Sequence, residues 1–256
     1  MEIKKLADQY NINLDSLGVD KDSITLDFIK KYIANNFYPH VKEKKPISGI
    51  RKMIADHLVS GLKDSALISL YTDIVMDNFI DAYKKLGVSF NSLLVKIITD
   101  TLKNYPYMNS EIKNNEIIIY DSYNIGIAVD SKIGLIVPVI RNVDKKDIKE
   151  LDGEYKELIG RAKNGIIKEV DITGGTFSIS SLGSMDISYF MSIPNWPQVA
   201  ILSIGKTEPK PVVTGSSITI KNIMTISVTV DHRAVDGAPA ARFLSELKHN
   251  IEAFEA

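Results

Sequence analysis

The run Met224-Thr225-Ile226-Ser227-Val228-Thr229-Val230 alternates apolar and hydroxyl side chains with a period of two. Successive side chains of a strand point to opposite faces, so this run predicts a strand with one apolar and one polar face. Shorter apolar runs predict further strands at 117–120, 123–129, 135–140, 176–180, 199–204 and 218–221. Between the second and third of these, Asp130-Ser131-Lys132-Ile133-Gly134 is a hairpin signal. Elsewhere the period changes to that of a helix. Phe90, Leu93, Leu94, Ile97, Ile98 and Leu102 form an apolar stripe behind Ser89, a candidate cap. Ser48 stands before a helix carrying Met53, Ile54 and Leu58. Asp77 is placed to cap a helix over 79–86 that Gly87 would stop, and further helices are predicted over 147–163 and 238–254. Helices and strands in this mixed order predict the α/β class, a two-layer sandwich with a mixed β-sheet.

The first part of the chain is different. Residues 3–10 and 25–34 predict two short helices around a polar turn, the second with Phe28, Ile29, Tyr32 and Ile33 on one face. Residues 1–34 are too few for much of a core and read as a small two-helix segment. Residues 35–45, with Pro39 and the run Lys42-Glu43-Lys44-Lys45, read as a linker, leaving 46–256 as the main domain.

Composition narrows the functions open to such a fold. The 256 residues are 45% hydrophobic and 25% charged with a formal net charge of −1. No global charge draws the chain to nucleic acid or to an anionic membrane, and neither is expected as a partner. The chain has no cysteine. That excludes disulfides, thiolate metal sites and a cysteine nucleophile, and it fits a reducing compartment. No apolar run reaches the ~18 residues of a membrane span. The opening Met-Glu-Ile-Lys-Lys lacks the apolar stretch of a signal peptide, so a cytoplasmic location is expected. His40, His57 and His249 show no metal-ligand spacing, and no metal is assigned.

The chemistry gathers where the alternating strand ends, at Asp231-His232-Arg233-Ala234-Val235-Asp236-Gly237. A strand-end imidazole is a candidate general base, because its ordinary pKa lies near neutrality. The alternative is a core histidine held by a neighbour. Asp236, followed by Gly237 and Pro239, suits a helix N-cap, and it could also fix the loop around His232. In Gly174–Gly183 (GGTFSISSLG) a strand ends in adjacent hydroxyls and a glycine. This is either a plain turn or a hydroxyl placed to donate to an oxyanion. Gly174-Gly175 has neither the phosphate-loop lysine nor the dinucleotide-binding spacing. Arg51 beside Lys52 is either a solvated basic pair or one half of an ion pair with a loop carboxylate.

Together these segments resemble the catalytic domain of dihydrolipoamide acyltransferases, the core subunits of 2-oxoacid dehydrogenase complexes. The matching stretches are Pro46–Ala55, Tyr123–Asp130, Gly134–Ile140, Gly174–Gly183, Asn195–Leu202, Asp231–Gly237 and Ala241–Leu244, in the family's order. The resemblance implies a chloramphenicol-acetyltransferase-like fold and acyl transfer between coenzyme A and a dihydrolipoyl thiol. It implies His232 as the base that deprotonates the thiol and Ser180 as the donor to the tetrahedral oxyanion. Asp236 would order the catalytic loop, with Arg51 as its ionic partner. It also implies a homotrimer; a larger cage and dehydrogenase subunits are further partners the family offers, though the apolar C-terminal tail that locks trimers into a cage is not seen after Phe254.

Residues 1–34 resemble the peripheral-subunit-binding domain found upstream of that core, in a degenerate form. Leu17–Asp22 replaces its Gly-Thr-Gly loop, and Asp8 stands at a basic position. No Asp-Lys-Ala lipoyl hairpin appears, so the lipoyl group is expected on a separate chain. Two rivals remain: a weakly active scaffold subunit of such a complex, and a stand-alone acetyltransferase acting on a small alcohol or amine.

Overall fold

The computed structural model describes residues 1–255, Ile50 by its backbone only. Ala256, the last residue of the expected main domain, lies outside the described residues. The chain forms two compact units that meet in sequence at Ser48 and Gly49.

The first unit holds α1 (Glu2–Gln9) and α2 (Leu26–Phe37), joined through two single turns of 3₁₀-helix at Leu14–Ser16 and Lys21–Ser23. Thr25 caps α2, its Oγ1 accepting from the Phe28 amide at 3.1 Å. Ala7, Ile29 and Ile33 are buried. The helix α2 runs three residues past the predicted end at 34. Aromatic contacts account for the extra turn. The Phe37 ring meets Tyr10 edge-on at 5.4 Å, and the Tyr10 and Tyr38 hydroxyls lie 2.7 Å apart.

The second unit begins with α3 (Gly49–Lys63), β1 (Leu67–Val75), α4 (Asp77–Leu86) and α5 (Phe90–Leu102). Short strands follow: β2 (Ser110–Lys113), β3 (Glu116–Ile119), β4 (Ile125–Ile127), β5 (Val129–Ser131), β6 (Gly134–Ile136) and β7 (Val139–Ile140). Then come α6 (Ile148–Lys163), α7 (Glu169–Ile172), β8 (Phe177–Ser181), β9 (Ala200–Thr214), β10 (Ser217–Asp231) and α8 (Gly237–Glu252). The main sheet is mixed, six strands in the order β1-β10-β9-β8-β4-β7. Strand β8 is parallel to both its neighbours, and the other pairings are antiparallel.

The two faces of this sheet differ as the alternation predicts. Ser180, Ser203, Ser227 and Tyr71 stand opposite one another across β8, β9, β10 and β1. Residues directly opposite share a face. That face is therefore lined by hydroxyls, while Ile179, Leu202 and Val228 line the other. The apolar face joins Leu94 and Ile98 of α5 and Phe243 and Leu247 of α8 in one core. The hydroxyl face is closed by residues 186–194. Ser227 Oγ donates to Phe190 O at 2.7 Å, and Ser203 Oγ to Ser192 Oγ at 2.8 Å. Gly205 makes this lining possible, because a Cβ there would stand 2.1 Å from Ser188 O.

Three local expectations are corrected. Asp77 is the first helical residue of α4 and Met76 takes the cap position. The Asp77 carboxylate instead accepts from the Asn222 amide and side chain at 3.2 and 2.7 Å, tying α4 to β10. The runs 123–129 and 135–140 each break in two: β4 and β7 join the main sheet, while β5 and β6 form a separate hairpin. Pro138, which has no N–H to give, sits at the break and accepts at its carbonyl from Ile127. Finally, the runs 199–204, 218–221 and 224–230 fuse into two 15-residue strands that turn at Gly215.

Candidate active site

His232 is the first residue past β10. A turn follows, with the amides of Ala234 and Val235 both 3.0 Å from Asp231 O. The imidazole is not buried: it is 46% exposed, and its Nδ1 lies 3.4 Å from Asp236 Oδ1, a carboxylate 77% exposed. The reading of His232 as a core histidine therefore fails. Asp236 occupies the N-cap position of α8, with extended backbone angles, but its carboxylate makes no capping hydrogen bond. It is left facing His232.

Asp231, before the histidine, is nearly buried. Its Oδ1 accepts from the Ala66 amide at 3.3 Å and the Arg233 amide at 3.1 Å. The Arg233 guanidinium closes on both carboxylate oxygens, with Nε at 3.0 and 3.1 Å and Nη2 at 2.6 Å. Burial works against the ionised form, but the Arg233 bonds and the two amides outweigh it and hold the carboxyl below its usual range. Sequence reasoning missed this pair. An Asp-x-Arg at a strand end looks like solvated charge, and the contact with Ala66 spans 165 residues.

Ser180 lies on β8, opposite Ser203 on the hydroxyl face. It is half-buried, and among the described residues its hydroxyl has no hydrogen-bond partner. Nearby hydroxyls are engaged: Ser178 Oγ donates to Gln198 Oε1 at 2.7 Å. A free hydroxyl at the end of a rigid strand can donate to a developing oxyanion. A cleft of about 490 Å³ opens on the opposite, helix-covered face of the sheet, lined in part by Asn91, Ser181, Ser184, Lys206 and Thr207, and Ser180 is not part of its lining.

The fold does not bring Ser180 to His232 within one chain. Ser180 is in register with Ser203, and Ser203 with Ser227, five residues before His232. Two strand spacings of about 4.8 Å and five residues of about 3.3 Å separate their Cα atoms by roughly 19 Å. Arg51, exposed on the first turn of α3, makes no ion pair with Asp236 among the described residues. A second groove of about 670 Å³ runs beside α3, where Met53, Leu135 and Ile172 line it and His57 Nε2 sits 3.2 Å from Asn195 Oδ1. It includes neither His232 nor Ser180. Among the described residues no three His, Asp or Glu side chains converge to hold a metal ion, and no helix is long and apolar enough to cross a membrane.

Known proteins share this architecture. The chain is 34% identical over 223 residues to the dihydrolipoyllysine-residue acetyltransferase component of the pyruvate dehydrogenase complex of Zymomonas mobilis, covering 84% of this chain and 50% of that one. It is 33% identical over 223 residues to the succinyltransferase component of the 2-oxoglutarate dehydrogenase complex of Pseudomonas aeruginosa, covering 83% of this chain and 54% of that one. The chain thus spans about half the length of these relatives. Among solved structures it is similar to dihydrolipoamide acetyltransferase of Azotobacter vinelandii, studied for a serine, a histidine and an asparagine in its catalytic mechanism. That likeness has a TM-score of 0.78 at 30% identity, over 86% of this chain and 94% of the other. A chloramphenicol acetyltransferase, at TM-score 0.52 and 16% identity over 83% of this chain and 100% of that one, shares the fold alone. Residues 39–256 match the family of 2-oxoacid dehydrogenases acyltransferase (catalytic domain), and the chain belongs to that family.

Proposed function

We propose that the protein transfers an acyl group between coenzyme A and a dihydrolipoyl thiol, with His232 as base and Ser180 as oxyanion donor. One observation carries the assignment of residues. The serine, histidine and asparagine studied in the Azotobacter enzyme stand 52 and four positions apart. Ser180, His232 and Asp236 repeat both intervals (232 − 180 = 52; 236 − 232 = 4), with aspartate in place of asparagine.

These side chains can supply a complete cycle once Ser180 and His232 meet. Nδ1 of His232 is turned to Asp236, which leaves Nε2 to accept the thiol proton. A thiol of ordinary pKa is only a few per cent thiolate at neutral pH, so a positioned base raises the attacking species. The thiolate sulfur bonds to the thioester carbonyl carbon, and the carbonyl π pair moves to oxygen. Ser180 Oγ–H donates to that oxygen. Collapse breaks the original carbon–sulfur bond, and the departing thiolate takes its proton from the His232 imidazolium. Protons and charge balance without a metal or an acyl-enzyme.

Because Ser180 and His232 of one chain stand so far apart, the reading requires them to meet across a subunit boundary. The proposed assembly is a homotrimer, with a larger cage and dehydrogenase subunits as further partners. Arg51 is proposed as the ionic partner of Asp236 in that assembly. The lipoyl group would arrive on a lipoyl domain carried in trans, and the first unit is read as a degenerate subunit-binding module. The cytoplasm is the proposed compartment, in keeping with a cysteine-free chain.

The test is acyl exchange with acetyl-, succinyl- and isobutyryl-coenzyme A against dihydrolipoamide. Turnover with one or more of the three is expected, and their ranking identifies the acyl group. No exchange with any of them, on free dihydrolipoamide or on a lipoyl domain, would leave a scaffold and overturn the reading.

A further inference from the structure

We propose that Asp231 and Arg233 are positioning residues that aim the His232 imidazole through the backbone. The inference rests on the reading of His232 as the base. The starting point is how little holds the ring itself. It is half-exposed and, among the described residues, has one polar contact, at 3.4 Å, to a carboxylate that is itself mostly in solvent. Packing cannot fix the direction of such a ring. The backbone that carries it must do so.

That backbone is clamped on both sides of His232. Its own amide donates to Ala66 O at 2.8 Å. The next amide, of Arg233, donates to Asp231 Oδ1 at 3.1 Å. A side-chain oxygen accepting from the amide two residues on closes an Asx turn, and the residue enclosed by this ring is His232. The same oxygen also accepts from the Ala66 amide at 3.3 Å. One carboxylate thus joins the chain just after the histidine to the chain just before β1. Leu67 in turn pairs with Asp231 in the sheet, so the turn is referenced to a rigid strand.

A carboxylate only 5% exposed needs a counter-charge to remain a strong acceptor. Arg233 supplies it, folding back so that its fork engages both oxygens. The guanidinium is 41% exposed, so it carries the charge of the pair to the solvent side while Asp231 stays buried. Asp231 sets the turn, and Arg233 keeps Asp231 charged and in place.

The experiment compares Asp231→Ala with Asp231→Asn in the acyl-exchange assay, beside amide hydrogen exchange of the same intact proteins. Asparagine keeps an oxygen for both amides, and alanine keeps none. Asp231→Ala is expected to lower kcat by ~10- to 100-fold with KM for either substrate within ~3-fold, the signature of a misplaced base in a bound complex. Asp231→Asn should recover kcat to within ~5-fold of the parent. In Asp231→Ala the His232 and Arg233 amides should exchange at least ~10-fold faster, with the Val228 amide in mid-strand unchanged. Parental kcat in Asp231→Ala would overturn the proposal. So would an Asn variant as impaired as the Ala variant, or protection lost along the whole of β10, which marks a residue needed only for folding. If His232→Ala kept its turnover, the base assignment would fail on its own, while the two amides would still report whether Asp231 holds the turn.

Discussion

His232 Nε2 and Ser180 Oγ are the two atoms on which turnover should depend. His232→Ala is expected to fold and to lose at least ~10² in rate, the lower range for general base catalysis. Ser180→Ala should lose ~10²–10³ in kcat with KM little changed, because an oxyanion exists only past the ground state. Steady-state kinetics on both variants checks this, and a loss confined to KM would contradict the assigned roles. A third side chain, Asp152, bears on stability rather than rate. It is buried on α6 and accepts from the Ser89 amide at 2.9 Å, Ser92 Oγ at 2.8 Å and Lys156 at 2.6 Å. Burial opposes its charge, but these donors prevail and hold its pKa at about 2. A carboxyl whose pKa is lowered on folding stabilises above its unfolded value of about 4 and stops doing so as pH falls through about 2. Asp152→Asn should therefore lower the unfolding free energy by about 2 kcal/mol at pH 7 and by much less near pH 2, as denaturant titration at the two pH values would show. At this scale the candidate residues could be picked out together, because strand, His-x-x-x-Asp-Gly spacing and hydroxyl segment agree with one another, while the expected Arg51–Asp236 pair does not form among the described residues. Asp152 and Asp231 could not: beside Lys156 and Arg233 they look like solvated ion pairs, and the Ser89, Ser92 and Ala66 donors that mark them as buried acceptors come from far along the chain.

Among the elements, the β9–β10 hairpin shows what periodicity reveals and what it hides. The alternation at 224–230 gave the strand and its two faces correctly. It did not reveal that the polar face is also buried, with Ser227 and Thr229 almost inaccessible, because alternation reports polarity and residues 186–194 supply the cover. The outer half of β9 was hidden by Pro209 and Pro211. Both are tolerated because β8 ends its pairing at Ile204, leaving that edge of β9, among the described residues, without a partner strand to which a proline N–H would be owed. Where the edge becomes free, β9 also takes an extra residue against β10, between Ile204 and Thr207. Gly205 lies in this bulge, against Ser188 O. Gly205→Ala would force backbone apart from backbone, and an overpacked site of this kind loses about 1–3 kcal/mol. Thermal unfolding should show Tm lower by roughly 3–10 °C for a chain of this size. Gly215→Ala, at the exposed turn with a left-handed φ of +62° and nothing within 4 Å of the new Cβ, is the comparison that carries backbone strain without crowding.

For the whole molecule the decisive quantity is the separation of Ser180 from His232. Two strand spacings and five residues separate them, and both sit on a sheet that cannot fold upon itself to bring them together. If catalysis needs both, each site takes its histidine from one chain and its serine from another. A closed ring offers each of these faces to a different neighbour. A ring built only of His232→Ala chains then has every site damaged, and so does a ring built only of Ser180→Ala chains. Co-refolding the two should create some boundaries where an intact Ser180 meets an intact His232. In an equal mixture each of the two positions is intact half the time, so about one boundary in four is whole. Turnover of the mixture should rise well above that of either variant, towards about a quarter of the parental rate, once mass spectrometry has shown that the subunits exchanged. Activity that stays at the level of the single variants despite verified exchange would mean that one chain holds a complete site, and the sheet register would then have to be reconsidered.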